Sequence, residues 1–421
     1  MQGLCAPTGP LENASFRCLW IAQGISIFGD YLAMFSVQAA LVFRLRESAH
    51  GVSIVWLASL LPAIVIGPVA GVFADRWNPR RTMIVSDCLR AVLVLLLAAS
   101  TRSGAGTSTH LDFIRLCSIC FAISCVSAFF VPAQAVVIPR LIKREELLPV
   151  SVLMQQTMHV ARIASPAVAG TLVVRFGENA CYWGNSASFL VSAALLTNVS
   201  CHVLPTAIAP KASHVARDMR SGLAFLLTNS EVSFATCAMA GGTFAAGCYS
   251  SLVAIYIRDV LHATAASYAI AGSLTAAGTL AGTLVAGKIV NSCSRQTLIA
   301  TGMGIVGACI LSLALYPSQL GTFVGAAGIG LGASSAMIAA SAVLKEFTPE
   351  ELRGRVSSVS VSMMSAAQAA AMLFAGSCAT WLGVRGVYAV SAAMLLAQPA
   401  YQCFRRGRAR SGPSACFQTL L

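Results

Sequence analysis

Apolar segments of about 20 residues recur along nearly the whole chain, each long enough to cross a bilayer as a helix. They read as spans at 18–43, 51–73, 83–101, 112–135, 149–174, 180–204, 231–254, 266–290, 297–316, 320–343, 356–381 and 385–404. Twelve such spans leave only short connections in 421 residues, the pattern of an all-α polytopic bundle. With 57% hydrophobic and 10% charged residues, the chain departs from soluble domains, which run about 45–50% apolar and roughly 25% charged. Collagen, disorder, coiled coil and a small disulfide scaffold are excluded on the same ground.

The net charge of +13 does not point to nucleic acid, because the basic residues follow topology. With the N-terminus inside, the cytoplasmic segments carry Arg17, Arg76, Arg80, Arg81, Arg140, Lys143, Arg144, Lys211, Arg217, Arg220, Lys288, Arg295, Lys345, Arg353, Arg355 and the Arg405–Arg410 cluster. The opposite side holds only Arg44, Arg46, Arg102, Arg175, Arg258 and Arg385, and three arginines (Arg90, Arg115, Arg162) fall inside spans. An excess of Lys and Arg marks the cytoplasmic side, so both termini are expected inside a cytoplasmic (inner) membrane. The first 16 residues contain no Lys or Arg and no short apolar core, so no signal peptide is expected. Most of the 15 cysteines lie in apolar spans, where Cys packs as a small residue. Cys117 and Cys120 have metal or redox spacing but no second pair; no metal or cofactor is expected.

The halves echo each other. Gly71-Val-Phe-Ala-Asp75-Arg76-Trp-Asn-Pro-Arg80-Arg81 follows the second span, and Gly282-Thr-Leu-Val-Ala-Gly-Lys288 follows the eighth. Lys143-Arg144-Glu145-Glu146 follows the fourth span, and Pro349-Glu350-Glu351-Leu352-Arg353-Gly354-Arg355 the tenth. Both pairs are separated by about half the chain, as in a duplication. The expected organisation is an N-tail (1–17), a six-helix bundle (18–204), a cytoplasmic linker with an amphipathic segment (205–230), a second six-helix bundle (231–404) and a C-tail (405–421). Two pseudo-symmetric halves around a central cavity form a transporter architecture with its site near mid-membrane.

The Gly71–Arg81 stretch resembles the cytoplasmic loop between the second and third spans of the major facilitator superfamily. Phe16-Arg17, Ile25 to Asp30, Pro139 to Leu148, Ala161-Arg162-Ile-Ala-Ser165-Pro166-Ala-Val-Ala-Gly170 and Thr348 to Arg355 are similar to its drug and siderophore exporter branch, which includes macrolide efflux pumps. The resemblance implies alternating access, with Gly71, Asp75, Arg76, Arg80 and Arg81 closing the cytoplasmic side against Arg353, Gly354 and Arg355. It also implies that Ser165, Pro166 and Gly170 form the tightly packed segment that marks antiporters, although Ser165 and Ala169 stand where that pattern has glycines.

A carboxylate at the bilayer centre costs about 2.5–3.5 kcal/mol on insertion scales. Asp30 is the acidic residue expected at a span midpoint, sharing a helix face with Gln23 and Ser26. A carboxyl there is cheapest when it can take up a proton, as a proton-coupled carrier requires; the bland alternative is a permanent interhelical bond. Arg162, in span five, is the expected partner of Asp30 or of an acidic group on the substrate, and His159 is a second proton-carrying candidate. Gln23, Gln38, Gln134, Gln156, Arg162, Tyr249 and Gln368 are the expected substrate-binding residues. Glycines at 272, 278, 282 and 287, and at 321, 325, 328 and 332, form smooth helix faces.

An enzyme is not expected: a second membrane carboxylate, H-E-x-x-H, Gly-x-Ser-x-Gly and a phosphate loop are all absent from this reading. The functional expectation is a monomeric secondary exporter of a small organic molecule, siderophore or drug-like, driven by proton antiport. Arg162 and Arg115 favour an acidic or chelating cargo. A lysophospholipid flippase, whose flux ignores a pH gradient, and a non-transporting sensor are the competing readings. Asp75→Ala should cut transport sharply at near-normal membrane abundance, as measured by cargo flux and immunoblot; unchanged flux refutes the latch.

Overall fold

The computed structural model describes residues 10–67, 70, 73, 77–102, 109–143, 146–200, 212–289 and 294–410. The helices are α1 (Ala14–Ala39), α2 (Ala49–Val65), α3 (Pro79–Arg102), α4 (Thr109–Leu141), α5 (Leu147–Phe176) and α6 (Glu178–Leu196). Then follow α7 (Ala212–Thr228), α8 (Ser230–Ile255), α9 (Ala265–Ile289), α10 (Arg295–Leu315), α11 (Gln319–Phe347) and α12 (Glu350–Arg410). Nine described helices are long and apolar enough to cross a membrane. One of these, inside α12, is broken at Gly383 (φ 68°, ψ 167°) and so supplies two spans. With the shorter α2 and α6, the described residues reach the twelve expected.

Local chemistry sets the helix ends. Asn13 accepts the Phe16 N–H at 3.2 Å and Asn229 accepts the Val232 N–H at 3.1 Å, side-chain caps that satisfy backbone donors with no intrahelical partner. The junction of α5 and α6 is a single residue, Gly177 (φ 78°, ψ 173°), in a region open essentially to glycine alone. Against expectation, α6 stops at Leu196 rather than running to 204. There Arg80 donates through Nε to the Leu196 carbonyl at 3.0 Å and through Nη2 to that of Thr197, so a cation caps the helix C-terminus. The amphipathic α7 lies within the segment expected to link the halves, and α12 runs past the expected start of the C-tail.

The chain divides into two compact units: Met1–Pro210 with His262–Ser273, and Lys211–Leu261 with Leu274–Leu421. In the first, α1 packs on α5 and α6, α3 lies against α4 and α6, and α2 packs on α4. Its core gathers Phe16, Leu19, Met83, Phe130, Val137 and Leu196. In the second, α8 packs on α12, and α10 on α11 and α12. Here α7 is secured by Leu226, which joins Val232, Val356 and Val359.

The duplication expected from sequence recurs in the backbone. Asn13 caps α1 as Asn229 caps α8, and each helix closes in a π-helical turn, Ala40–Arg44 and Tyr256–Val260. Each turn is followed by a positive-φ residue, Arg46 (φ 53°) and His262 (φ 50°). One constant spacing relates all these pairs, and it also relates the starts of α2 and α9 and of α3 and α10. Gly177 and Gly383 are the matching breaks further on.

Small residues set the close approaches that hold helices together in lipid. In the second unit a Cβ on Gly278 would overlap the Ala327 carbonyl, whereas one on Gly287 would meet nothing within 4 Å. Overpacking costs typically about 1–3 kcal/mol, and a backbone carbonyl cannot rotate aside. Gly278→Ala should therefore lower the melting temperature of the detergent-purified protein, while Gly287→Ala leaves it unchanged or raises it.

Candidate functional site

Asp30 lies at the middle of the continuous Ala14–Arg44 span. Its partner is not Arg162. Arg90, near the middle of the Pro79–Ala99 span, places Nη1 3.8 Å from Asp30 Oδ2. Through Nη2 the same guanidinium pairs with Asp87, one helical turn earlier. The side chains of Asp87 and Arg90 are 0% and 5% exposed, that of Asp30 46%. Thus Asp87 is sealed and Asp30 remains reachable.

The surroundings hold this geometry. Ser192 donates to Asp87 Oδ2 at 2.7 Å, and the Asn185 side chain hydrogen-bonds Asp30. Arg90 lies between two aromatic faces, its Cζ 4.5 Å from the Phe130 centroid and 4.3 Å from that of Phe189; stacking of this kind contributes up to about 2 kcal/mol when desolvated. Arg90 Nε is buried with no hydrogen-bond partner among the described residues. α6 comes close because Gly29 adjoins Asp30: a Cβ there would overlap Ser188 Oγ. With all three groups ionised, the cluster carries a formal charge of −1.

The expectation of a single mid-membrane acid is therefore corrected. Asp87, inside α3 (Pro79–Arg102), is a second acid at that depth, paired with Arg90. The missed signal was opposite charge three residues apart inside an apolar run, Asp87 and Arg90, which share a helix face.

The other candidates fall into distinct places. Gln23 and Ser26 are buried on α1. Gln38 accepts a hydrogen bond from the Tyr268 hydroxyl at 3.0 Å, and Tyr268 stacks on Phe35 at 4.4 Å. Gln134 and Gln368 are partly buried; Gln156 and Arg162 are exposed, and Arg162 makes no ion pair among the described residues. Tyr249 is buried in a tyrosine cluster with Tyr388 and Tyr256, a packing position in place of the expected cavity wall. The side chain of His159 lies outside the described residues, as do Gly71, Asp75 and Arg76. Arg81 is exposed at a cavity of about 550 Å³ on α3 and α4, lined mainly by apolar groups including Trp77, Val85, Leu89 and Phe129. Arg353 donates to the Thr348 carbonyl at 3.3 Å and Arg355 to Ser221 Oγ on α7 at 3.4 Å; Gly354 has open space beside it.

Ser165 donates to the Phe28 carbonyl at 3.0 Å, binding α5 to α1 two residues from Asp30. On α5, Gly170 meets Ala269 and Pro166 meets Gly272, so this segment packs on the first turns of α9.

A family model described as a transmembrane secretion effector matches residues 5–411. The chain belongs to that family, within the major facilitator superfamily. It is similar to macrolide efflux protein A of Streptococcus pyogenes, 26% identical over 390 residues that cover 90% of this chain and 93% of the relative. It is also similar to macrolide efflux protein A of Enterococcus faecalis, 27% identical over 317 residues, 74% of this chain and 95% of the relative. Among solved structures, a bacterial homologue of the iron transporter ferroportin in an inward-facing state superposes with a TM-score of 0.71 at 16% identity, covering 93% of this chain and 98% of the other. A bacterial homologue of the human lysosomal transporter Spinster, inward-facing and occupied, gives 0.69 at 13% identity over 94% and 96% of the two chains. These likenesses establish the fold. The protein is a multi-pass membrane transporter, not an enzyme.

At Gly170 an added Cβ would overlap the Ala269 side chain. Gly170→Ala should cut the transporter's flux at unchanged membrane abundance, and adding Ala269→Gly should restore it; flux indifferent to both substitutions would show that the close approach has no role in turnover.

Proposed function

We propose that the transporter is a proton antiporter that exports amine-bearing amphiphilic small molecules of the macrolide class across the cytoplasmic membrane, both termini inside. The carrying observation is the half-exposed carboxylate of Asp30 at mid-span beside the buried Arg90–Asp87 pair. A proton or a cationic amine can each neutralise that carboxylate, and one excludes the other. An uncompensated charge at mid-membrane costs about 2.5–3.5 kcal/mol, roughly a 100-fold penalty on the population that crosses it. Reorientation with Asp30 neutralised by one ligand or the other gives exchange and suppresses empty return.

The net negative cluster favours a cation over the acidic or chelating cargo expected from sequence, and Arg162 is not part of it. The relatives named as macrolide efflux proteins support this cargo class. The distribution of basic residues supports the orientation. The gate assigned to Asp75, Arg76 and the span-eleven arginines, and the two-bundle division at 205–230, belong to the same proposal.

The test is accumulation of labelled erythromycin in everted membrane vesicles under an imposed pH gradient, acid inside. Accumulation should rise several-fold above the gradient-free level and collapse with a protonophore. Asp30→Asn should abolish the gradient-dependent part at unchanged abundance. Gradient-independent uptake would overturn proton coupling and favour a flippase. Gradient-driven export of a catecholate siderophore without erythromycin would overturn the cargo alone.

A further inference from the structure

Ion clusters inside membrane helices are often structural, and the internal duplication separates structure from function. The constant spacing that pairs Asn13 with Asn229, Arg46 with His262 and Pro79 with Arg295 carries Asp30, Asp87 and Arg90 onto Ala246, Met303 and Val306. Met303 and Val306 are buried, at 4% and 1% exposure, and Met303 packs against Gly242 of α8. The second unit thus builds the equivalent meeting of α8 and α10 from apolar side chains alone. The fold has no need of charge at this place. Replacing a buried ion pair with packed apolar groups is often neutral or stabilising, so its presence in the first unit calls for another reason.

The cluster is also asymmetric. One carboxylate, Asp87, is wholly buried and hydrogen-bonded by Ser192, and it grips Nη2 of Arg90. The other, Asp30, is loosely engaged at 3.8 Å by Nη1 and is half exposed. The guanidinium cannot be deprotonated in a protein, and one of its terminal nitrogens faces Asp30 while the other is held by Asp87. Its Nε has no described hydrogen-bond partner. Two phenyl faces fix its plane. That is a held charge, aimed at an accessible acid.

We infer that Arg90, anchored by Asp87, is the positioning counter-charge of Asp30, and that the three residues form a switch whose net charge passes from −1 to 0 when Asp30 takes up one proton. This deepens the proposed coupling and rests on it. Asp30 exchanges the proton; Asp87 keeps Arg90 from pairing elsewhere; Arg90 keeps the proton from being held too tightly to be released. The remaining titratable groups on helices packed against α1 stand elsewhere among the described residues. Glu178 of α6 pairs with Arg44 at 3.2 Å, the Tyr182 hydroxyl is buried one turn before Asn185, Arg162 of α5 is exposed, and the Tyr268 hydroxyl is on Gln38.

The test reads Asp30 directly and needs no cargo. Dicyclohexylcarbodiimide labels carboxyl groups in their protonated form, and peptide mass spectrometry of the purified full chain gives the pH profile of labelling at Asp30. In the wild type, Asp30 should label and Asp87 should not. Arg90→Lys, which keeps the charge, should leave the Asp30 profile near the wild type. Arg90→Gln alone leaves two carboxylates facing each other and can fail to fold, so the deciding variant is Arg90→Gln with Asp87→Asn, which removes both charges together. Its Asp30 profile should move toward alkaline pH by about one unit or more, since the cation lost from 3.8 Å away opposed proton uptake. A profile superimposable on the wild type would overturn the inference and leave a packing role for the pair. Failure of the parent reading looks different: vesicle transport indifferent to the pH gradient, whatever the labelling profile.

Discussion

A full charge at the centre of a bilayer is expensive, and the first unit places three there within one cluster. Everything around them reduces that expense without removing it. The Asp87–Arg90 pair cancels internally, Phe130 and Phe189 cover the guanidinium, and Ser192 and Asn185 supply hydrogen bonds to the two carboxylates. What remains is one carboxylate left half exposed. Four helices converge to make this arrangement: α1, α3, α4 and α6. Gly29 permits α6 to come near enough for Asn185 to reach Asp30.

The duplicated architecture shows how chemistry can be placed on a fold without being demanded by it. The two sequence repeats share an Asn-capped helix (α1 and α8), a π-helical turn at its end, a positive-φ residue after the turn and a glycine break at Gly177 or Gly383. These are backbone devices, and both copies keep them because the chain path depends on them. At the middle of the membrane the copies part, with charge in one and Met303 and Val306 in the other. An antiporter needs only one place at which proton and cargo exclude each other, and a second would double the desolvation cost.

How legible was this beforehand? Span number, helical class, the duplication and Asp30 could all be read from hydropathy and spacing, because each is written in contiguous residues. The family motifs were legible for the same reason. The partner of Asp30 was not. Arg162 was favoured because its span and depth matched, but a helix has two sides, and α5 leaves that arginine exposed while α3 buries Arg90. Asp87 and Arg90 are three residues apart on one helix face, but only the packing of α3 against α4 and α6 shows that this face is buried. Arg80 was assigned to a gate with its neighbours, yet it caps α6, a role set by where the last carbonyls of a distant helix happen to lie. Tyr249 was read as a polar cavity residue, but two further tyrosines from α12 and the π-helical turn enclose it.

The amino-acid sequence by itself determined that this chain lives in a membrane, crosses it as helices in two related halves, and carries an acid where hydrocarbon makes an acid costly. Those properties depend on composition, period and local order, which need no knowledge of neighbours. Only the tertiary structure decided which cation answers that acid, that a second acid holds the cation in place, and which of the two carboxylates stays reachable. Helix rotation and side-chain burial fix those choices, and both arise from packing among segments far apart in the chain.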